Sequence, residues 1–568
     1  MRSLTQLSLT VPFVFVGSLY LTAPDAAAQC ALAKITEAVS NDVDEFGDRI
    51  ALDGDLLAVT ERGVDQRGAV HLFDVSEVGT LGKWTPIGEV QPADSVAGQL
   101  FGESIDVSGR TLVAGAADDD ELGPNAGAAY VFERNDNGTP TVPGDDFWVE
   151  IAELHPSGAS LPTRFGETVA LEGDTLVVAA PGTGSLAALF VFHRDHLGTP
   201  DPFDDLWVQV ARIDPDGLST FSSLGQGLDL SRDEGLILAG DTRDTTGSGT
   251  GGAGLLFARQ DTGAPGDPRD DTWVPAGKLV RGPASSPYDS MGSSVVLGDD
   301  VAFISAPFGG FDYGGRVIVF DRDGQGTADP LDDVWTEGQE LNGQGSIYAN
   351  FGDWMAVDGE RFAASQTLWQ FPPSWGTNVL VFERTAGTWS EVERLEAPDR
   401  QVADGVGSGV ALDGSLLFTG ANGAFYIDDH APADGAVYAW DLDRPQTWDP
   451  DPWFLGDFQQ PILSGWGNLE PRSRFGLRSY DLFDNAPTWF FLGFSRIDQP
   501  FSGGVLIPSP DVIIGPVPTD SFGSVTLEGF WPDGVPPGTT FWLQSWAMDP
   551  GFAPFGLGDS PGIEVVTP

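Results

Sequence analysis

The chain of 568 residues has one cysteine, Cys30, and only 28 lysine and arginine residues against 84 aspartate and glutamate residues. A single cysteine excludes an intrachain disulfide, so core packing alone must hold the fold together. The formal charge of −56 argues against nucleic acid and anionic membranes as partners, because such a surface repels both. The same charge keeps an exported protein soluble and attracts cations.

Long apolar runs are also scarce. The run from Leu7 to Leu21 follows Met1-Arg2 and precedes Ala26-Ala27-Ala28, which is the pattern of a secretory signal peptide with a small-residue cleavage site. We therefore predict a signal peptide over residues 1–28 and an exported protein, secreted or at the cell surface. No other stretch is apolar over the about 20 residues that a membrane helix needs, so the mature chain is predicted to have no transmembrane segment.

Catalytic motifs are thin as well. His193 and His196, two of the five histidines, lie where a predicted strand runs into a loop, without the third ligand that a zinc site needs. Gly558-Asp-Ser560-Pro-Gly562 has the spelling of a nucleophile elbow, but it carries a proline and lacks the helix that must follow. We identify no catalytic residue, and the sequence indicates a protein that is not an enzyme.

What the chain does have is a short word, an apolar residue followed by glycine, that recurs seven times at intervals of 55 to 67 residues. A fixed period of this length indicates one supersecondary unit that is stacked several times. The seven starts are Phe46-Gly47, Phe101-Gly102, Phe165-Gly166, Leu224-Gly225, Met291-Gly292, Phe351-Gly352 and Val406-Gly407.

Each unit contains four predicted strands. In the third unit, Val169 and Leu171 alternate with smaller or polar neighbours, Glu172-Gly173 supplies a two-residue turn, and the apolar run from Leu176 to Ala180 is typical of a strand covered on both faces. Two further strands follow, and the last opens at Trp207. Seven units of four short strands predict a seven-bladed β-propeller with one sheet per blade.

Tryptophan opens the fourth strand of each unit, and we predict that these side chains pack between blades rather than bind a ligand. The segment from Ala31 to Glu37 precedes the first unit just as a fourth strand precedes the others, so we predict that it completes the seventh blade and closes the ring. The tryptophans are Trp84, Trp148, Trp207, Trp273, Trp335 and Trp389, with Trp448 as the seventh candidate.

These words carry a resemblance to a known family. The Phe-Gly heads, with Ala180-Pro181 and Ser305-Ala306-Pro307 after the second strands, resemble the FG-GAP repeat of the integrin α-chain propeller and its bacterial relatives. The resemblance covers about residues 31–448. Integrin-type repeats place a calcium loop between the first two strands, and this chain has a turn of about two residues there. The calcium sites of the family therefore cannot be carried over to these positions.

Acidic residues are concentrated elsewhere, in the loops between the third and fourth strands of units two to five. Calcium requires several carboxylate and carbonyl oxygens on a flexible backbone. If any metal binds, we predict calcium in the loop of the fifth unit, where glycines at 324 and 326 separate the carboxylates. The alternative, that such residues are simply what long turns contain, stays open for this loop and is favoured for the others. The predicted ligands are Asp321, Asp323, Asp329, Asp332 and Asp333.

From about Asp449 the period stops. The segments 488–494, 524–530 and 540–548 have the pattern of strands, and the region is rich in aromatic residues, proline and glycine. The predicted fold is therefore all-β: a seven-bladed propeller over 29–448, followed by a small sandwich over 449–568. Aromatic residues on both faces of 540–548 are interpreted as core, with stacking on sugar rings as the alternative.

The leading hypothesis for function is a secreted or cell-surface binding or adhesion protein. Rigid blades would hold up loops at one rim that contact an extracellular protein or polysaccharide. One alternative is an extracellular hydrolase or lyase with a site on the propeller axis, which would require a cluster of Asp, His or Arg at the mouth of the central channel. Another is a structural component of a surface layer.

Overall fold

The computed structural model describes residues 31–35, 46–62, 66–81, 83–157, 163–181, 187–214, 223–231, 233, 235–244, 251–262, 267–282, 289–309, 314–327, 329–343, 350–368, 376–396, 406–422, 435–443, 448–450, 462–467, 469, 472–480, 486–501, 504–519, 525–532, 534–548, 557–560 and 563–567. Almost all regular structure among them is β-strand, so the predicted all-β class is confirmed. Helical segments are short: α1 (Val78–Leu81) and the 3-10 turns Pro143–Asp145 and Pro268–Asp270. No described helix is long and apolar enough to span a membrane.

The repeat region forms seven four-stranded antiparallel sheets within the described residues, numbered here in chain order. The first contains β2 (Ile50–Asp53), β3 (Leu56–Glu61), β4 (Ala69–Asp74) and β5 (Thr85–Val90). The second contains β6 (Ser104–Ser108), β7 (Thr111–Ala116), β8 (Ala128–Asn135) and β9 (Phe147–Leu154). The third contains β10 (Thr168–Glu172), β11 (Thr175–Ala180), β12 (Ala188–Asp195) and β13 (Leu206–Ile213). The fourth contains β14 (Leu228–Leu230), β15 (Leu236–Asp241), β16 (Ala253–Gln260) and β17 (Thr272–Leu279).

The remaining three sheets repeat this order. The fifth contains β18 (Val295–Leu297), β19 (Val301–Ala306), β20 (Arg316–Asp323) and β21 (Val334–Asn342). The sixth contains β22 (Met355–Asp358), β23 (Arg361–Leu368), β24 (Gly376–Thr385) and β25 (Thr388–Leu395). The seventh contains β26 (Val406–Asp413), β27 (Leu416–Ala421) and β28 (Ala436–Asp441), with β1 (Ala33–Ile35) as its outer strand.

The sheets form a closed ring. The inner strand of each sheet contacts the inner strand of the next, and β26 of the seventh sheet contacts β2 of the first. The outer edge of the seventh sheet is filled from the N-terminus, because Ala33, Lys34 and Ile35 pair with Ala439, Tyr438 and Val437. The prediction that the segment beginning at Ala31 completes the last sheet is confirmed for its described residues. Closure of this kind removes an exposed sheet edge.

The hydrophobic core lies between neighbouring sheets. Each of seven apolar clusters among the described residues draws its side chains from two consecutive sheets. Phe418 of the seventh sheet, for example, packs with Leu57 and Val59 of the first. Second strands such as β11 are therefore buried on both faces, as their apolar sequence predicts. Trp148 also packs between sheets, against Gly88 of the first.

The Phe-Gly word fits where two sheets approach most closely. Phe165 is fully buried and meets Phe190 and Phe192 edge to face. Gly166 has a φ of +89°, a conformation that glycine adopts without a steric penalty. Its carbonyl oxygen is so near Gly115 of the second sheet that a Cβ on Gly115 would lie 1.8 Å from it. The word and the glycine of the preceding sheet are thus two halves of one backbone contact.

The two faces of the ring differ. Inner strands begin at the Phe-Gly words and end at the first turns, so we call these ends the Phe-Gly face and the turn face. On the turn face, the turn glycine of one sheet donates its N–H to the last residue of the preceding inner strand in four places. The pairs are Gly54–Asp413, Gly109–Asp53, Gly173–Ser108 and Gly414–Asp358, at 3.0, 2.5, 3.1 and 2.8 Å.

The C-terminal region builds two sheets and a hairpin of its own. One sheet has the order β29-β39-β37-β32-β35 with β38 paired to β37, another has the order β30-β31-β36, and β33 pairs with β34. Leu477 and Val525 of one sheet share a core with Phe541 and Leu543 of the other. Strand bounds are β29 (Trp448–Pro450), β30 (Ile462–Trp466), β31 (Arg474–Tyr480), β32 (Pro487–Gly493), β33 (Arg496–Phe501), β34 (Gly504–Pro508), β35 (Val512–Pro518), β36 (Val525–Phe530), β37 (Thr540–Met548), β38 (Leu557–Asp559) and β39 (Ile563–Val566).

The structure places Trp448 outside the repeat region. Trp448 is not in the seventh sheet: it opens β29, whose residues pair with β39 of the C-terminal region. The reason is that β1 already occupies the outer edge where a strand from Trp448 would have to bind. The predicted signal peptide, residues 1–28, lies outside the described residues.

Candidate functional site

The paired aspartates before the fourth strands have a structural role. In the second to fifth sheets, the second aspartate of each pair is almost fully buried and forms an ion pair with an arginine of the third strand. Each arginine therefore neutralises the negative charge of its aspartate. The pairs are Arg134–Asp146, Arg194–Asp205, Arg259–Asp271 and Arg322–Asp333, at 2.6, 2.6, 3.3 and 2.6 Å.

The five predicted calcium ligands are not gathered around one point. Asp333 faces Arg322, while Asp321 lies 3.6 Å from a guanidinium nitrogen of Arg384 in the sixth sheet. Among the described residues, no three carboxylates of this loop are close enough to hold one ion. Calcium binding here stays a prediction, for a loop that would have to rearrange. The other carboxylates accept from the Thr327 hydroxyl (Asp332, 2.7 Å) and from the backbone N–H groups of Gln325 (Asp323, 3.0 Å) and Leu331 (Asp329, 3.0 Å).

A cleft of about 530 Å³ opens on the turn face between the second and third sheets. Its walls are the two first turns, at residues 108–111 and 173–174, and the loop between β12 and β13, at residues 199–205. This volume lies within the roughly 300–1,000 Å³ typical of ligand sites. The loops that the sequence singled out as acidic therefore build one wall of a cavity large enough for a ligand.

Arg194 forms the floor of the cleft. Its guanidinium donates to Asp205 at 2.6 Å in its own sheet, and to Thr111 at 3.0 Å and Glu133 at 3.1 Å in the second sheet. Glu133 is buried, and this burial raises its pKa even though Arg194 opposes the shift. One buried cation thus joins two sheets directly beneath the cavity.

The rim of the cleft is polar and exposed. His196 lies between two carboxylates, with Nε2 3.0 Å from Asp174 and Nδ1 2.9 Å from Asp205. Hydrogen bonds to Asp174 and Asp205 raise the pKa of His196 above its ordinary value. Arg110, about half exposed, adds a second cation to the wall. The rim therefore offers hydrogen-bond donors and acceptors side by side.

A second charged group, the axial cluster, lies on the Phe-Gly face. Arg49 of the first sheet donates to the carbonyl oxygen of Glu103 in the second at 2.9 Å, and its guanidinium stacks 4.1 Å from the Trp354 ring of the sixth. A side chain that touches these three sheets must lie near the axis. The cluster comprises Asp48, Arg49, Glu103, Asp118, Arg164, Glu167 and Trp354.

In the axial cluster, two arginines are paired with four carboxylates. Arg164 contacts Asp118 at 2.5 Å, Glu167 at 2.6 Å and Glu103 at 3.5 Å. Oε2 of Glu103 is buried without a hydrogen-bond partner, and burial raises the pKa of this carboxyl. The adjoining cavity holds only about 10 Å³, which is about the space of one water molecule. The cluster can hold a proton, and the cavity described beside it has the size of a water molecule.

Asp106 of β6 predicts a pH dependence of stability. Burial raises its pKa to about 7, from an ordinary 3.8, although the N–H groups of Leu171 and Val107 donate to it. A carboxyl with a raised folded-state pKa contributes stability that is present below about pH 4 and is lost as the pH rises through about 7.

We therefore expect the free energy of unfolding of Asp106→Asn to fall less than that of wild type between about pH 4 and pH 8, by roughly 1–3 kcal/mol. Urea unfolding at several pH values should show a flatter dependence for the variant. Asp413→Asn is the control, because Asp413 also accepts a backbone N–H, from Gly54, at an exposed position. An equal slope in Asp106→Asn and wild type would contradict the expectation.

Part of the repeat region is similar to a known repeat family. The FG-GAP repeat family matches this sequence at residues 84–132 and 148–192. The chain contains FG-GAP repeats. Each matched FG-GAP segment runs from the fourth-strand tryptophan of one sheet to the third strand of the next. The sequence repeat is thus offset by one strand from the sheet, which is why β1 is needed to complete the ring. No curated protein matches the chain.

Among solved structures, an endosialidase of phage phi92 shares 10% identity with this chain, with a TM-score of 0.36, over 76% of this chain and 71% of that one. The β-propeller domain of the Trilobed protease from Pyrococcus furiosus shares 10%, with a TM-score of 0.32, over 66% and 94%. A puromycin hydrolase shares 12%, with a TM-score of 0.38, over 79% and 61%. None of these is similar enough to indicate a function.

The sequence reasoning missed the arginines that neutralise the loops. Each lies eleven or twelve residues before its aspartate, at 134, 194, 259 and 322, in register with the repeat. That periodic arginine was a signal for a structural ion pair. The cleft itself had no such signal, because it depends on how the turns of two neighbouring FG-GAP repeats are spaced.

Proposed function

We propose that this FG-GAP protein is exported and binds a polar ligand, an extracellular protein or polysaccharide, in the cleft between the second and third sheets. The observation that supports this proposal is the cleft itself, about 530 Å³ in volume and walled by loops of one rim. Function on propellers resides in such loops, because the blades hold them rigidly.

The residues at the rim of the cleft restrict the class of ligand that it would bind. Arg110, Asp174 and His196 alternate in charge around the opening, which suits a ligand rich in hydroxyl or amine groups. No aromatic side chain lines the cleft among the described residues, so stacking on sugar rings does not contribute there. The formal charge of −56 would steer cationic ligands toward the protein and repel anionic ones.

The test is capture of ligands from a glycan array and from extracellular proteins, followed by affinity measurement. Arg110→Ala and Asp174→Ala should each weaken binding by about tenfold, since tenfold corresponds to about 1.4 kcal/mol, the scale of one charged hydrogen bond. Glu360→Ala is the matched control, because Glu360 lies at the same turn position in the sixth sheet, away from the cleft. Equal affinity in all variants would exclude this site.

The second candidate is a hydrolase acting near the axis. The observation that favours it is Glu103, a buried carboxyl with a raised pKa beside Arg49 and Arg164. The same experiment separates the candidates. A captured ligand that is released intact supports binding, whereas cleavage that Glu103→Gln abolishes would replace the binding proposal.

A further inference from the structure

Glu121, Glu153 and His155 come together beside the second sheet, apart from the cleft and from the acidic loop of the fifth sheet. One ligand atom from each residue lies within 4.8 Å of the others. Nε2 of His155 is 2.9 Å from Oε1 of Glu153. Two atoms bound at about 2.0–2.2 Å to one tetrahedral zinc ion lie roughly 3.4 Å apart. The spacing is therefore within about 0.5 Å of that of two ligands around one metal ion.

The fold places these residues firmly. Glu153 is the penultimate residue of β9, and His155 directly follows the end of that strand. Glu121 comes from the loop between β7 and β8. Its N–H donates to Asp119 at 2.9 Å, and the fully buried Asp119 is held by Gln99 at 2.6 Å and the Tyr130 hydroxyl at 3.2 Å.

Within the described residues, Glu153 is paired with the imidazole of His155 and with no lysine or arginine. Neither Glu121 nor Glu153 forms an ion pair with a lysine or arginine among the described residues, and Asp94 adds further negative charge nearby. In the fourth sheet, the position equivalent to Glu153 holds a cation instead. There Lys278 occupies the position of Glu153 in the register of the sheet and pairs at 2.6 Å with Asp244 of the corresponding loop. The second sheet replaces that internal cation with a carboxylate.

Two polar atoms of the group also lack a hydrogen bond. Oε1 of Glu153 and Nδ1 of His155 are buried without a hydrogen-bond partner, although Oε1 lies close to the imidazole. Unpaired buried polar atoms destabilise the folded state, because they lose their hydrogen bonds to water. A divalent cation that bound Oε1 would neutralise both carboxylates.

We propose that Glu121, Glu153 and His155 bind one divalent transition-metal ion. An imidazole nitrogen with two carboxylate oxygens suits zinc, whereas calcium takes oxygen ligands. Three protein ligands leave a coordination position open for water or for a group of a partner molecule. The site is independent of the proposed ligand cleft, and its failure would leave that proposal untouched.

The experiment is titration of the metal-free protein with Zn²⁺ in an excess of Mg²⁺, which occupies unspecific carboxylates. We expect one zinc ion per chain and a melting temperature that rises with zinc, because binding to the folded state stabilises it. X-ray absorption should show nitrogen and oxygen ligands with one imidazole. Glu121→Gln, at an exposed position, and His155→Asn should lose the stoichiometric binding.

Glu153→Lys is the most informative variant, because it introduces the lysine that the fourth sheet has at this position. It should abolish zinc binding without lowering the melting temperature of the metal-free protein. His71→Asn is the control: His71 lies 2.6 Å from Glu61 but belongs to no group of three ligands in the described part of the chain. Absence of zinc binding, or binding that persists in Glu153→Lys and His155→Asn, would overturn the proposal.

Discussion

Replacing Arg194 with methionine is expected to lower the free energy of unfolding by about 3–5 kcal/mol. Arg194 is only 8% exposed, and its guanidinium is the partner of Asp205 and Glu133 beneath the cleft. Methionine keeps much of the packing volume but removes the buried cation that Asp205 and Glu133 share, leaving His196 near the first and Arg110 near the second. Removing one member of a buried pair is costly because the remaining charge stays desolvated.

The pH dependence of this loss separates charge from packing. Without the guanidinium, the pKa of Glu133, which burial already raises, rises further, so stability is lost as the pH rises through that value. The difference between wild type and Arg194→Met should therefore shrink on acidification, and Arg194→Met/Asp205→Asn should recover part of it. Arg269→Met, which removes an exposed arginine paired with Asp195 and Asp267, should change little. A pH-independent loss would indicate packing alone.

The parts of the fold that the sequence predicted are those encoded locally. Turn glycines, alternating apolar residues and the Phe-Gly words each report a backbone requirement within a few residues, so the strands and the closing role of β1 followed from them. The prediction for Trp448 was wrong, because the local sequence pattern does not determine which of two strands pairs with the one free edge of the seventh sheet. β1 pairs there, and β29 pairs with β39 instead.

The candidate sites were harder to predict, because they depend on contacts between sheets. Asp332 and Asp333 look equivalent in sequence, yet one accepts from the Thr327 hydroxyl on the surface and the other is buried against Arg322. Composition cannot distinguish a carboxylate that awaits a cation from one that already has a guanidinium. The sequence did not indicate Glu153 as a candidate metal ligand, because its partner Glu121 lies over 30 residues away along the chain.

Gly166→Ala is expected to lower the free energy of unfolding by about 2–5 kcal/mol, the sum of two separate costs. The φ of +89° costs an alanine about 1–2 kcal/mol. The added Cβ would also lie 2.2 Å from the carbonyl oxygen of Ala128 in the second sheet. Backbone cannot yield as a flexible side chain does, so overpacking adds about 1–3 kcal/mol. Urea unfolding, followed by tryptophan fluorescence, measures the total.

Gly138→Ala isolates the first cost, the backbone penalty. Gly138 has a similar φ, +74°, but a Cβ there would meet no atom within 4 Å, so only the backbone penalty of about 1–2 kcal/mol should appear. The difference between the two variants then measures how tightly the Phe-Gly word of the third sheet presses on the second. If both variants lose the same stability, close backbone approach is not what requires glycine in this word. If Gly166→Ala loses clearly more, the recurrence of Phe-Gly around the ring has a physical cause: each copy must let two sheets meet backbone to backbone.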